Sequence, residues 1–292
     1  MKNSLTEQIC PICGPTLPSI LTQSDERLVL RCVSCGLIFS SPRPSTADIS
    51  RFFQSEYIED ERRAAEDFTA YRASALKTEA SCVRSMLPQG GRLLDVGCAS
   101  GAFMAEMARD SRWTVSGIEP SRFAAGFARS THGLDVYCGF LRDAALTENH
   151  YDVVTSLDSF YFHPEPNEDL REIRRILRPG GLLVVEIPGL QFRLLKNTGI
   201  LSRLIYGVPA RLNARLHLFF YSSQTLTALA SRHDFALLRK FPQQGPLYGS
   251  AVLRIANHAY YWLFSRLYTL TGGRLNLAPK ELLIFRSMKS AM

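Results

Sequence analysis

The stretch Arg92-Leu-Leu-Asp-Val-Gly-Cys-Ala-Ser-Gly101 decides how the rest of the chain is read. A short apolar run ends in Asp95, and a turn bounded by Gly97 and Gly101 follows. Ala102-Phe-Met-Ala-Glu-Met-Ala-Arg109 then has the apolar spacing of a helix. Strand, glycine turn and helix in that order is the nucleotide-binding geometry of open α/β sheets, whose ligands sit beyond the carboxyl ends of the strands. Glycine lacks a Cβ, so the backbone at such a turn can bend sharply and approach a ligand closely. The pattern Asp-x-Gly-x-x-x-Gly differs from the Gly-x-Gly-x-x-Gly of dinucleotide sites, and no Gly-Lys-Ser/Thr follows to make a phosphate loop. The glycine spacing therefore disfavours a dehydrogenase.

Downstream, strands and helices are expected to alternate. Trp113–Glu119 reads as a strand ending in an acid 24 residues after Asp95. A carboxylate there can accept both hydroxyls of a ribose. Pro120 to Arg129 reads as a helix, and Leu134–Gly139 as a short strand whose following loop should flank an adenine. Tyr151–Leu157 is a further strand, leading into Asp158-Ser-Phe-Tyr-Phe-His163. Asn167 to Leu177 is a helix closed by Arg178-Pro-Gly-Gly181, and Leu182–Pro188 is the next strand.

Asp95-Val-Gly-Cys-Ala-Ser-Gly101 resembles the first motif of class I S-adenosylmethionine (SAM) methyltransferases. Ile176-Leu-Arg-Pro-Gly-Gly-Leu-Leu-Val-Val-Glu186 resembles a later segment of the same family. The resemblance implies an α/β fold, a Rossmann-like sheet with helices on both faces, and SAM as cofactor. Its cofactor-binding residues would be Asp95, Gly97, Cys98, Ala99, Ser100, Gly101, Glu119, Pro120, Gly139, Phe140 and Leu157. Leu216-His-Leu-Phe-Phe-Tyr-Ser222 and Ala278-Pro-Lys-Glu-Leu-Leu-Ile-Phe285 are similar to segments of a subgroup associated with polysaccharide and sugar modification. One departure is Arg232-His-Asp-Phe235, where the family has a glycine before the aromatic residue; the expected effect is confined to the turn.

Cys10-Pro-Ile-Cys13-Gly and Cys32-Val-Ser-Cys35-Gly are two Cys-x-x-Cys turns with 18 residues between them. Each presents two thiolates, and the glycine after each permits positive φ. Four such sulfurs suit tetrahedral zinc with no open position, hence a structural metal. Arg27–Arg31 and Leu37–Phe39 read as strands entering and leaving the second turn, so residues 1–45 form a zinc ribbon. A redox pair or chance clustering are the alternatives. Cys82, Cys98 and Cys138 are packing residues in this reading.

Ser41-Pro-Arg-Pro-Ser45 is a linker, residues 46–90 are a helical linker or cap, and 91–292 are the core. Thr46 to Phe53 and Asp60 to Leu87 read as helices that either pack on the sheet or cover the cofactor pocket. Two segments are extra to a minimal core, at about 190–220 and 247–270. The first carries Arg193, Lys196, Arg203, Arg211 and Arg215 among apolar residues; the second carries Arg254, His258 and Arg266. Such helices either cap the substrate cleft or lie at an anionic lipid interface.

The net charge of +7 is uneven: residues 190–292 carry +12 and residues 1–189 carry −5. That asymmetry points to an anionic partner such as a phosphate-bearing substrate, a membrane surface or nucleic acid. The start of the sequence lacks a secretory apolar core, and no run reaches the roughly 18 apolar residues of a spanning helix. The expectation is a cytoplasmic protein, with peripheral contact at the inner face of the membrane as a possible addition.

Three residues are candidates for the chemical step: His163, Asp158 and His217. His163 follows the fourth core strand, and an imidazole suits proton removal near neutrality. Asp158 shares its loop and would touch either the SAM amino group or the acceptor. The leading expectation is methyl transfer to a small-molecule or glycan acceptor, nucleotide- or lipid-linked. The others are an RNA methyltransferase with a zinc module and a non-catalytic binding protein of the same fold.

Overall fold

Two small sheets open the chain in the computed structural model, which describes residues 8–24, 27–55, 75–206, 212, 217–244, 251–273 and 275–290. β1 (Gln8–Cys10) and β2 (Gly14–Thr16) form a hairpin around the first cysteine turn. β3 (Ser19–Ser24), β4 (Arg27–Arg31) and β5 (Ile38–Ser41) run antiparallel, and the second cysteine turn joins β4 to β5. The turn glycines Gly14 and Gly36 have φ of 80° and 77°. A Cβ would meet nothing at either position, so conformation rather than space selects glycine there.

α1 (Thr46–Ser55) starts one residue later than its cap. The Ser45 hydroxyl accepts from the Asp48 N–H while the Asp48 carboxylate accepts from Ser45, a reciprocal box that satisfies first-turn donors. Helical residues 75–86 form α2. Leu76, Ala80 and Val83, at i, i+4 and i+7, are buried against Leu93, Phe103, Met107 and Trp113. Residues 60–74 of the helix expected over Asp60 to Leu87 lie outside the described residues.

The core proper runs β6 (Gly91–Val96), α3 (Ala102–Ala108), β7 (Trp113–Glu119), α4 (Arg122–His132), β8 (Asp135–Cys138), β9 (Tyr151–Leu157), α5 (Pro166–Ile176) and β10 (Leu177–Pro188). α6 (Leu190–Asn197), α7 (Gly199–Tyr206), β11 (Phe219–Phe220), α8 (Ser223–Ser231), β12 (Phe235–Gln243), α9 (Ala251–Leu270) and β13 (Lys280–Ser287) complete it. Seven strands make the main sheet in the order β12-β13-β10-β9-β6-β7-β8. β13 is antiparallel to both its neighbours, and the other contacts among β6–β10 are parallel. The chain leaves β6 in one direction through β7 and β8, then returns to the other side of β6 with β9. The carboxyl ends of β6 and β9 therefore open a crevice at the switch point, where such sheets bind ligands.

Several boundaries differ from those expected. β10 begins at Leu177, directly after α5, because Leu177 pairs with Tyr151; Arg178-Pro-Gly-Gly181 is carried as a bulge before pairing resumes at Leu182. α4 begins at Arg122 rather than Pro120, since Ser121 is its cap and accepts from the Ala124 N–H. Where the family has glycine, Asp234 takes φ of 57°, a left-handed conformation that a short polar side chain tolerates at some strain.

β11 was not anticipated. Phe219 and Phe220 add a fourth strand to the ribbon by pairing with Phe39 and Ile38. The ribbon and core consequently share one hydrophobic cluster: Cys10, Leu30, Cys32 and Phe39 pack with Phe160, Tyr161, Leu170 and Tyr221. α9 lies along the edge strand β12, where Tyr261 and Tyr268 hydroxyls donate to the Pro242 and Lys240 carbonyls. It thereby protects a strand edge that would otherwise be exposed. No helix among the described residues is long and apolar enough to cross a membrane.

Candidate functional site

The crevice at the switch point is a cavity of about 230 Å³. Its floor is the turn after β6. Gly97 and Gly101 both have φ of 78° and Ala99 has 48°, so three left-handed residues fall within five. A Cβ on Gly97 would lie 2.6 Å from the Ser159 Cβ, and one on Gly101 would lie 2.7 Å from Leu134 Cδ1. Both glycines are thus required for close approach as well as for conformation. The turn is fixed to the neighbouring strand by N–H groups of Gly97 and Cys98 donating to the Ile118 carbonyl.

Two buried carboxylates flank this floor. Asp95 Oδ1 accepts from the Thr155 hydroxyl at 2.7 Å. Glu119 accepts from the Ala99 N–H at 2.8 Å through Oε2 and from the Ser121 N–H at 2.9 Å through Oε1. Each Glu119 oxygen keeps acceptor capacity for a further donor from the cavity. Burial pushes the Glu119 carboxyl up to about 7, opposed by the two backbone donors and reinforced by the Asp95 charge. Burial likewise raises the Cys98 thiol well above its usual value, which leaves an inert packing group.

Asp95, Gly97, Cys98, Ala99, Ser100, Glu119, Pro120, Gly139, Phe140 and Leu157 all line the cavity. Gly101, also expected in the cofactor set, is not among the lining residues and packs instead toward Ala128 and Leu134. Ile49 and Phe53 of α1 and Leu76 of α2 line the cavity too. The covering helix is therefore α1, while most of the buried face of α2 packs on the sheet. None of the described lining residues comes from α6, α7 or α9; residues 207–211, 213–216 and 247–250 of the two extra segments lie outside the described residues.

Asp158 and His163 both line the cavity. Asp158 has φ of 61° and is held by two donors, the Tyr161 hydroxyl at 2.9 Å and the Lys280 ammonium at 2.7 Å. Lys280 is buried and also reaches Glu186 at 2.7 Å. An ion pair of this kind suits Asp158 to fixing the loop rather than to accepting a proton. His163 Nδ1 lies 2.8 Å from Asp169 Oδ2, and Arg142 approaches the other oxygen of Asp169 at 3.5 Å. An ionised carboxylate only accepts, so Nδ1 carries the hydrogen and Nε2 is left as the basic nitrogen.

His217 lies elsewhere. It is absent from the described cavity lining and stacks on Tyr161 with ring centroids 4.5 Å apart. Burial, and then the charge of Arg193, push its pKa down to about 3. A proton acceptor this weak does not serve general-base chemistry near neutrality.

Asp169, Arg142 and Lys280 were missed in the sequence. Asp169 carried a signal: it falls on the buried face of α5 with Leu170, Ile173 and Ile176, a charge in a core position. Lys280 had none, because its partners are more than 90 residues distant in sequence.

At the ribbon, the Sγ atoms of Cys10, Cys13, Cys32 and Cys35 all lie within 4.8 Å of one another. Cys10 and Cys35 sulfurs are 3.7 Å apart. A tetrahedron with Zn–S bonds of about 2.3 Å has edges of about 3.8 Å, so the donor set fits that ion.

A methyltransferase-domain model matches residues 57–240, more than half of the chain, and the chain belongs to that family. Together with the strand order, this defines a protein of the class I methyltransferase fold. The fatty-acid O-methyltransferase of Mycolicibacterium smegmatis is 32% identical over 97 residues, covering 32% of this chain and 35% of the relative. Methyltransferase GfsG of Streptomyces halstedii is 33% identical over 115 residues, covering 37% of this chain and 41% of the relative. The chain thus spans less than half the length of these curated relatives. Among solved structures, Burkholderia thailandensis 1,6-didemethyltoxoflavin-N1-methyltransferase, with bound 1,6-didemethyltoxoflavin and S-adenosylhomocysteine, superposes with a TM-score of 0.55. It is 14% identical and covers 93% of this chain and 99% of its own. At that identity the likeness establishes the fold.

Proposed function

We propose that the protein is a SAM-dependent methyltransferase acting on a small-molecule or glycan acceptor. The observation that carries the reading is the buried Glu119 carboxylate, held by the Ala99 and Ser121 amides at the cavity floor; an acid at the end of the second strand is suited to accept the hydroxyls of a ribose. SAM, when bound, supplies a methyl group activated by its sulfonium charge. The turn from Gly97 to Gly101 and Glu119 hold the nucleoside, and Phe140 flanks the base. α1, with Ile49 and Phe53, excludes water from the crevice.

His163 takes the proton of the acceptor at Nε2 while Asp169 fixes its ring and favours the imidazolium that forms. Asp158, pinned by Lys280, shapes the loop that carries His163. The four thiolates of the ribbon would hold a zinc ion in a structural role. Such a metal would fasten the ribbon, which supports the cavity wall through β11: the Ser40 N–H donates to the Leu218 carbonyl, and the Leu218 N–H donates to that of Tyr161.

The test uses methyl-tritiated SAM and an extract of the source cells, with the product separated into aqueous small molecules and glycans, organic-soluble lipids and RNase-sensitive polymer. Label in the first fraction, lost in His163→Ala with S-adenosylhomocysteine binding retained, is the expected result. Label confined to RNase-sensitive material favours RNA as substrate, and no label in any fraction favours a binding protein. Elemental analysis should find about one zinc per chain; metal-free folded protein contradicts the ribbon.

A further inference from the structure

The exposed apolar residues of the described chain are unevenly distributed, and many belong to α6, α7 and α9. On α7, Ile200 is 78% exposed and Leu204 77%. On α9, Ile255, Trp262 and Leu270 are 68%, 61% and 82% exposed. These are not scattered positions. Ile200, Arg203 and Leu204 fall at i, i+3 and i+4 of one helix, all exposed. Ile255, Trp262, Leu263, Arg266 and Leu270 fall at i, i+7, i+8, i+11 and i+15 of the other, a single stripe. The opposite side of α9 is the one that packs, through Tyr260, Tyr261 and Tyr268. α6 adjoins α9, since the rings of Phe192 and Tyr260 are 5.6 Å apart, and α6 packs on α7.

Charge on these helices has one sign. Their sequences contain no Asp or Glu, while Lys196, Arg203 and Arg266 are exposed beside the apolar residues. The Arg266 guanidinium sits 5.2 Å from the centroid of the Trp262 ring. An aromatic side chain with a polar edge, next to arginine and flanked by leucine and isoleucine, suits the boundary between lipid headgroups and acyl chains.

We propose that α6, α7 and α9 dock on the surface of an anionic lipid bilayer. The charge pattern selects this occupant. A second copy of the chain would bring the same cations face to face, whereas anionic headgroups neutralise them. Phosphates of nucleic acid would match the cations but leave Ile200, Leu204 and Leu270 without apolar cover. The helices lie parallel to the lipid plane rather than across it.

The experiment mixes the full chain with sedimentable vesicles of phosphatidylcholine, with or without phosphatidylglycerol. Trp113 is buried and Trp262 exposed, so a blue shift of tryptophan emission on binding reports Trp262. The expected result is sedimentation with the anionic vesicles, weakened by salt, with a blue shift. Trp262→Glu/Leu270→Glu should bind roughly tenfold more weakly while keeping its circular dichroism. Ile20→Glu, at an exposed apolar position on the ribbon, should bind as the parent does. Absence of sedimentation with the anionic vesicles overturns the proposal, as does equal binding by the double variant. Self-association that the double variant abolishes, without vesicle binding, overturns it in favour of a second copy. None of these readouts depends on methyl transfer.

Discussion

The floor of the cavity and its opposite wall are built by different means. The floor is one contiguous turn from Asp95 to Gly101 plus the end of the adjacent strand, and its geometry follows from backbone conformation and two buried carboxylates. The wall is assembled from α1, the loop after β9, the start of α5 and a lysine from the terminal strand. A floor made of backbone tolerates little change at any position but is insensitive to distant ones. A wall made of converging side chains depends on elements far apart in sequence, including the ribbon that supports Tyr161 through β11. This is how one fold keeps a fixed cofactor site and varies its acceptor.

Breaking the floor should have the largest effect on cofactor affinity. Gly97→Val places side-chain atoms where the Ser159 Cβ already lies 2.6 Å from an ideal Cβ, at a φ of 78°. S-adenosylhomocysteine affinity should fall roughly a hundredfold, about 2.8 kcal/mol by calorimetry. Glu119→Ala removes the proposed ribose acceptor and should weaken binding at least about tenfold, or about 1.4 kcal/mol. Substitution in the wall gives the contrast: Asp169→Asn should leave that affinity within about twofold while it slows label transfer.

The protonation of Glu119 sharpens the same comparison. Its carboxyl is raised to about 7, and in the proposed complex the ligand hydroxyls donate to the ionised form. Binding should therefore weaken as pH falls through 7, by about tenfold between pH 8 and pH 6. The sign for folding is the reverse. A carboxyl raised by burial favours the folded state at acid pH, and that contribution is lost as pH rises through about 7. The Tm of the ligand-free protein should thus fall more steeply between pH 5 and pH 8 than that of Glu119→Ala, read by thermal unfolding.

The smallest effect belongs to a site remote from both halves. Asp234→Gly relieves a left-handed residue with φ of 57° but gives up an exposed ion pair with Arg174 at 3.0 Å. The change in stability should stay within about 1 kcal/mol, a Tm shift of a few degrees at most.

What the sequence revealed follows the same division. That Asp95, Gly97 and Glu119 meet at one cavity could be read from the sequence, because each lies at the carboxyl end of a strand marked by its own local pattern. The four cysteines were legible for a similar reason: two fixed turns present all four sulfurs within 4.8 Å. β11 could not be read, since two phenylalanines carry no strand signal apart from the edge of β5 that they complete. Lys280 and Asp158 were illegible as a pair because the contact exists only once the sheet places β13 beside β10. His217 was read as a candidate for its residue type; its position behind Tyr161 depends on packing that no local pattern encodes.

Calorimetric titration of the purified protein with S-adenosylhomocysteine at pH 8 tests the central claim most directly. One site of micromolar affinity, weakened in Glu119→Ala and preserved in Asp169→Asn, is the result that the geometry of the floor predicts. Absence of binding, or binding that Glu119→Ala leaves intact, would contradict it and put the nucleoside outside the crevice at the switch point.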